Sequence, residues 1–125
     1  MYELSKEFRF DAAHTLHRTV DAEASQRIHG HSYRAEVVIR GHPDPNSGML
    51  LDLGLLEDAL KETRDRLDHR FLDEINDLGP ATMENLSAWI WRALEPICPN
   101  LCRVTVRRDS DQGACTYYGR KDLAS

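Results

Sequence analysis

Polar and apolar residues alternate along Tyr2–Phe10, which ends with Phe8 and Phe10 on one face, and the period of two predicts a strand. The alternation returns from Ser32 to Gly41, with Tyr33, Ala35, Val37 and Ile39 on one face and Arg34, Glu36, Val38 and Arg40 on the other, giving a second strand. Residues 14–30 between them are polar and irregular and read as a loop. Turn formers crowd residues 41–48, and Asp52 is placed to cap a helix. From Leu53 the period becomes helical, with Leu56, Leu60 and Leu67 sharing its face, and the helix stops near Asp68-His69. Thr82 is a helix N-cap, and Glu84 in the first turn favours the helix dipole. Leu86, Trp89, Ile90, Ala93 and Leu94 form the apolar stripe of this second helix, ended by Pro96 and Pro99. Residues 101–108 and 115–118 are two last strands, with a turn at 109–114.

The order ββααββ predicts an α+β fold: a four-stranded antiparallel sheet with two helices on one face. Such a sheet has open edges, which favour pairing with further copies, and a closed ring of subunits removes them. The 125 residues are the length of one domain, spanning 1–125. A net charge of −5, with no Lys/Arg cluster, excludes a nucleic-acid footprint. No apolar run approaches the roughly 20 residues that span a bilayer, and no signal segment opens the chain, so the expected location is cytoplasmic. Cys98, Cys102 and Cys115 have no disulfide spacing and read as reduced packing residues.

Histidines carry the main candidate chemistry. His29 and His31 are two apart at the start of a strand-like run, so both imidazoles face one point, and His14 ends an earlier one. Three neutral imidazoles with an open fourth position describe a catalytic zinc site, against the plainer reading of loop and surface histidines. His17 and His42, in turn-like surroundings, are expected to be solvated. Asp68-His69 can act as an acid–base pair, against the plainer reading of a histidine that interacts with a helix C-terminus. Asp109 can clamp an amino-pyrimidine edge by accepting two parallel N–H bonds, or serve as an ordinary turn aspartate.

Six motifs run in order over nearly the whole chain: Phe10-Asp11-Ala12-Ala13-His14, residues 29–33 (His-Gly-His-Ser-Tyr), residues 48–53, Arg66-Leu67-Asp68-His69, residues 80–85 and Tyr117-Tyr118-Gly119. Together they resemble the 6-pyruvoyl-tetrahydropterin synthase family, and within it the bacterial 6-carboxy-tetrahydropterin synthases of the QueD type. The resemblance implies a T-fold and a hexamer of two stacked trimers with active sites at subunit interfaces. It also implies His14, His29 and His31 as zinc ligands and Asp68 and His69 as proton-transfer residues. Counting back from Tyr117 puts Asp109 where the family anchors the pterin with a glutamate, and Thr82, with Glu84 nearby, matches a position beside the pterin pocket.

The chain departs from the family at one decisive position. The family's catalytic cysteine, four residues before the first histidine of His-Gly-His, is here Ser25. A serine hydroxyl has no anion near neutral pH comparable to a thiolate and needs a separate base. Glu23 lies in the same loop, in a different register from the glutamate that some divergent members use. The resemblance therefore implies a zinc-dependent lyase acting on a dihydropterin side chain such as that of 7,8-dihydroneopterin triphosphate, including an aldolase-like outcome. Two other readings stay open: a pterin-binding protein without efficient turnover, and, apart from the family, a zinc hydrolase. The pathway stays open between queuosine or other deazaguanine synthesis, folate and a biopterin-like route.

Overall fold

A computed structural model describes residues 1–20 and 22–119. Two 13-residue strands, β1 (Tyr2–His14) and β2 (His29–Gly41), pair antiparallel along their whole length, from Tyr2↔Gly41 to His14↔His29. β2 also pairs with β4 (Leu101–Arg108), which pairs with β5 (Gly113–Tyr117), both antiparallel. The two opening strands run further than their alternation indicated, because each continues through its histidines. This extension puts His14 directly across from His29.

The four long strands match the α+β expectation, but the sheet has a fifth. A two-residue strand, β3 (Arg70–Phe71), lies parallel to β1 at Ala12–Ala13, giving the order β3-β1-β2-β4-β5. Two residues carry no readable alternation, and the pairing exists only because the chain leaves its helix beside the edge of β1. A second correction concerns residues 14–30, which include a short helix, α1 (Ala22–Gln26). It has too few residues to show a helical period.

The long helices α2 (Leu53–Asp65) and α3 (Met83–Leu94) pack on one face of the sheet. Asp52 caps α2 by accepting from the Gly54 amide at 2.8 Å, and Thr82 caps α3 by accepting from the Asn85 amide at 3.1 Å. Leu56, Leu60, Leu86, Trp89, Ile90 and Leu94 meet Phe8, Phe10, Tyr33, Ala35, Val37, Ile39, Val104 and Val106 in one core. Leu53, expected on the buried face of α2, is exposed at the first position of the helix. His17 and His42 are exposed, as expected, and all three cysteines are free. No helix among the described residues is long and apolar enough to cross a membrane.

Candidate active site

The full-length pairing of β1 with β2 builds the site. Cross-strand partners share a face, so His14 and His29 stand together, and His31 lies two residues along on the same side. The three rings are mutually edge-on, with centroids 4.5, 4.9 and 5.0 Å apart. Their ligating nitrogens lie within 4.8 Å of one another.

Each ring is oriented from behind. His14 Nδ1 donates to the Ala81 carbonyl and His29 Nδ1 to the Arg27 carbonyl, both at 2.8 Å, while His31 Nδ1 lies 3.1 Å from the Ser110 hydroxyl. A carbonyl can only accept, so these bonds fix the proton of His14 and His29 on Nδ1 and leave the Nε2 lone pair free. Nε2 of His14 and of His31 are buried with no hydrogen-bond partner. A buried polar nitrogen without a partner is costly in a folded chain, unless it is a ligand for something else. Burial lowers the His14 pKa. Burial, followed by the adjacent His14 and the Arg108 cation, brings that of His31 down to about 4. Two of the three imidazoles are therefore held neutral, the form that binds a metal. The cluster fits one metal ion bound by three nitrogens, with room for a further ligand.

That room is a cavity of about 340 Å³ bordered by His29, His31, Ser25, Arg18, Arg108 and Asp111. Ser25 is buried, and its hydroxyl donates to the Ala22 carbonyl at 2.9 Å. It faces the cavity from one turn of α1, whereas Glu23 points to solvent, 3.0 Å from Arg27. Arg108 and Asp111 escaped the sequence reading. The signal for Arg108 was present: it continues the alternation Val104, Val106, which puts it on the core side opposite Tyr33. Asp111 accepts from the Gly113 amide at 2.9 Å and pairs with Arg108, and these two contacts hold its carboxyl below the usual range. Tyr33 is almost fully buried, and burial raises its phenol to about 12, so it is neutral.

The other predicted residues lie elsewhere. Asp68 and His69 sit at the β1 edge, beside the Asp11 carboxylate. By alternation, that carboxylate is on the face opposite Phe10, Ala12 and His14. The pair is tightly built. Asp68 accepts from the Asp11 amide at 2.9 Å and from His69 Nδ1 at 2.9 Å, and meets Arg64 at 3.0 Å. The Asp11 amide is the largest cause of its lowered pKa, ahead of His69 and Arg64. His69 itself donates its backbone amide to the Asp11 carbonyl and has φ 58°. Adjacent residues rarely bond through their side chains, and this left-handed backbone makes the contact possible here, at an expected cost of about 1 kcal/mol. The His69 side chain is 80% exposed. Within one chain, the ligating atoms of the acid–base pair and of the imidazole cluster form two separate groups, although a cavity of about 540 Å³ along the β1 edge is bordered by both His31 and His69.

Asp109 is also on the outer face, bonded to Arg34 at 2.9 Å, and borders a second cavity with Arg107, which Arg108 touches as well. Thr82 lies one residue beyond Ala81, the partner of His14, and lines a third cavity beside Thr15 and Asp73. Glu84 is exposed, and its position fits the dipole role.

The sequence profile of the 6-pyruvoyl tetrahydropterin synthase family matches residues 3–120. The chain belongs to this family. It is 32% identical over 126 residues to the 6-pyruvoyl tetrahydrobiopterin synthase of Poecilia reticulata, covering 88% of this chain and 85% of the relative. It is 33% identical over 100 residues to the 6-carboxy-5,6,7,8-tetrahydropterin synthase of Synechocystis sp., covering 76% of each. Among solved structures, it resembles Caenorhabditis elegans 6-pyruvoyl tetrahydropterin synthase with a TM-score of 0.81 at 28% identity, over 94% of this chain and 95% of that one. The T-fold and the tetrahydropterin synthase family are therefore established for this chain, and its relatives carry both the pyruvoyl and the carboxy names.

Proposed function

We propose that this family member is a zinc-dependent lyase that acts on the side chain of a dihydropterin such as 7,8-dihydroneopterin triphosphate. The observation that carries this reading is the convergence of three imidazoles with buried, unpartnered Nε2 atoms on His14 and His31. His14, His29 and His31 would hold the ion. Bound there, zinc would supply Lewis acidity to oxygens of the substrate side chain and so ease loss of a proton from the neighbouring carbon. The rest is work for side chains. His69, exposed and oriented by Asp68, is the group proposed to carry that proton. Its place on the opposite face from the imidazole rings supports a role for it in the imidazole site of a neighbouring copy. This supports an oligomer with shared sites, a hexamer by family resemblance. Thr82 and Asp109, on either side of the imidazole region, and Glu84 beyond Thr82 are the proposed pterin contacts. Three free thiols suit a reducing cytoplasmic setting.

A second reading rests on Ser25. Its hydroxyl donates to a backbone carbonyl, and its bonded partner is no base. A serine so placed does not replace a thiolate, which favours a pterin-binding protein with slow or no turnover, or a changed outcome such as aldolase-like cleavage. Incubating zinc-loaded protein with dihydroneopterin triphosphate and identifying every product by mass spectrometry decides between them. A 6-carboxy- or 6-pyruvoyl-tetrahydropterin product is expected under the first reading. Pterin binding without any product overturns it in favour of the second.

A further inference from the structure

The imidazole cavity has an unexpected charge. Its ionised side chains are Arg18, Arg108 and Asp111, and Asp111 is already committed to Arg108 and the Gly113 amide. A divalent ion on three neutral imidazoles would therefore stand beside cations, with no free carboxylate among the described residues that border the cavity. Such a cavity repels an amino-pyrimidine edge seeking an acceptor and attracts an anion. Arg108 is built for that task. It is mostly buried, sits across from Tyr33 on the sheet, and is braced by Asp111 in one orientation. Its Nε is buried without a hydrogen-bond partner, so this donor still lacks an acceptor. A guanidinium fixed in this way offers paired N–H groups matched to the two oxygens of a carboxylate or phosphate.

We infer that Arg108, braced by Asp111, is a second attachment point for an anionic oxygen group, carboxylate or phosphate, on the molecule bound at the imidazole centre. It fixes which end of the substrate enters: the charged arm goes to Arg108, and the ring stays outside this cavity. The inference rests on the reading that the three histidines hold a metal, and it does not depend on the ring being a pterin.

The test uses the full chain loaded with cobalt(II), whose visible absorption reports a new ligand, titrated with phenylphosphonate and with benzoate. Both probes carry the anion without strongly withdrawing the metal. Arg108→Gln should weaken the better probe about tenfold or more, the loss expected for a charged hydrogen bond. Arg108→Lys, which keeps the charge but not the paired donors, should fall between it and the unaltered protein. Cobalt affinity in Arg108→Gln should be unchanged or tighter, because a repelling cation has gone. Arg103→Gln removes an equal charge on the outer face, where Arg103 meets Glu36 at 3.4 Å, and should leave anion affinity within about twofold. Tighter binding of phenylphosphonate would identify a phosphate arm, and tighter binding of benzoate a carboxylate arm. Affinity in Arg108→Gln within twofold of the unaltered protein, or neither probe binding it, overturns the inference while leaving the metal site intact. Failure of the unaltered protein to take up cobalt overturns the metal reading itself.

Discussion

At the scale of single residues, the two halves of the chemistry are separately built and separately testable. His31→Ala removes a ligand nitrogen whose ring is held by Ser110, and bound zinc should fall from stoichiometric to trace by elemental analysis. Unchanged zinc content would refute the ligand set. Ser25→Cys places a thiol in a buried position beside His29 and His31 and should raise pterin-lyase turnover, measured by product formation. No gain would mean that the serine is only one of several changes. Asp68 gives a pH prediction. Its folded pKa lies below the unfolded value of about 3.9, so its stabilisation is present above that pH and is lost as pH falls through the folded value. Asp68→Asn should therefore cost about 1 kcal/mol at pH 7, and the gap in melting temperature should close in strong acid. Equal melting temperatures at pH 7 would show that the contacts with the Asp11 amide and Arg64 contribute nothing.

At the scale of elements, the start of α3 links stability to the metal site. Thr82 caps the helix, and the carbonyl just before it, on Ala81, orients His14. Thr82→Ala should cost about 1 kcal/mol of stability in denaturant melts. It should also weaken zinc binding in competition with a chelator, because the partner carbonyl loses its fixed position. A stability loss without any change in zinc affinity would separate the cap from the site. Much of this level was legible in the chain. The strand alternation of β2, the helical stripe of α3 and the caps at Asp52 and Thr82 are local signals, and local backbone preference decides them. The short α1 and β3 were not legible, because five and two residues carry no period. Both are held by what surrounds them.

At the scale of the whole molecule, the separation of His69 from the imidazole cluster argues for assembly. If each site takes its metal from one copy and His69 from another, His31→Ala and His69→Ala proteins should both be inactive alone. Refolded together in equal amounts, they should recover roughly a quarter of the unaltered activity, from sites that by chance combine two intact contributions. No recovery, with mixed oligomers verified by mass, would place both groups in one chain's site.

The sequence by itself determined the α+β class, the helix starts and the coincidence of His29 and His31 on one face, because each arises from residue spacing along a continuous element. It also contained Arg108 in plain alternation with Val104 and Val106. Only tertiary structure decided that β1 runs on to set His14 against His29, and that carbonyls of residues 27 and 81 fix two of the rings. The left-handed turn at His69 likewise closes its bond to Asp68 only because the Asp11 backbone accepts and donates there. Asp109 shows the same limit from the other side. Counting from Tyr117 placed it by number, but a strand's two faces differ by a single residue, and pairing with Arg34 puts Asp109 outside while Arg108 turns in. Spacing fixes what lies along an element, whereas contacts between residues far apart in the chain depend on which faces the folded core buries.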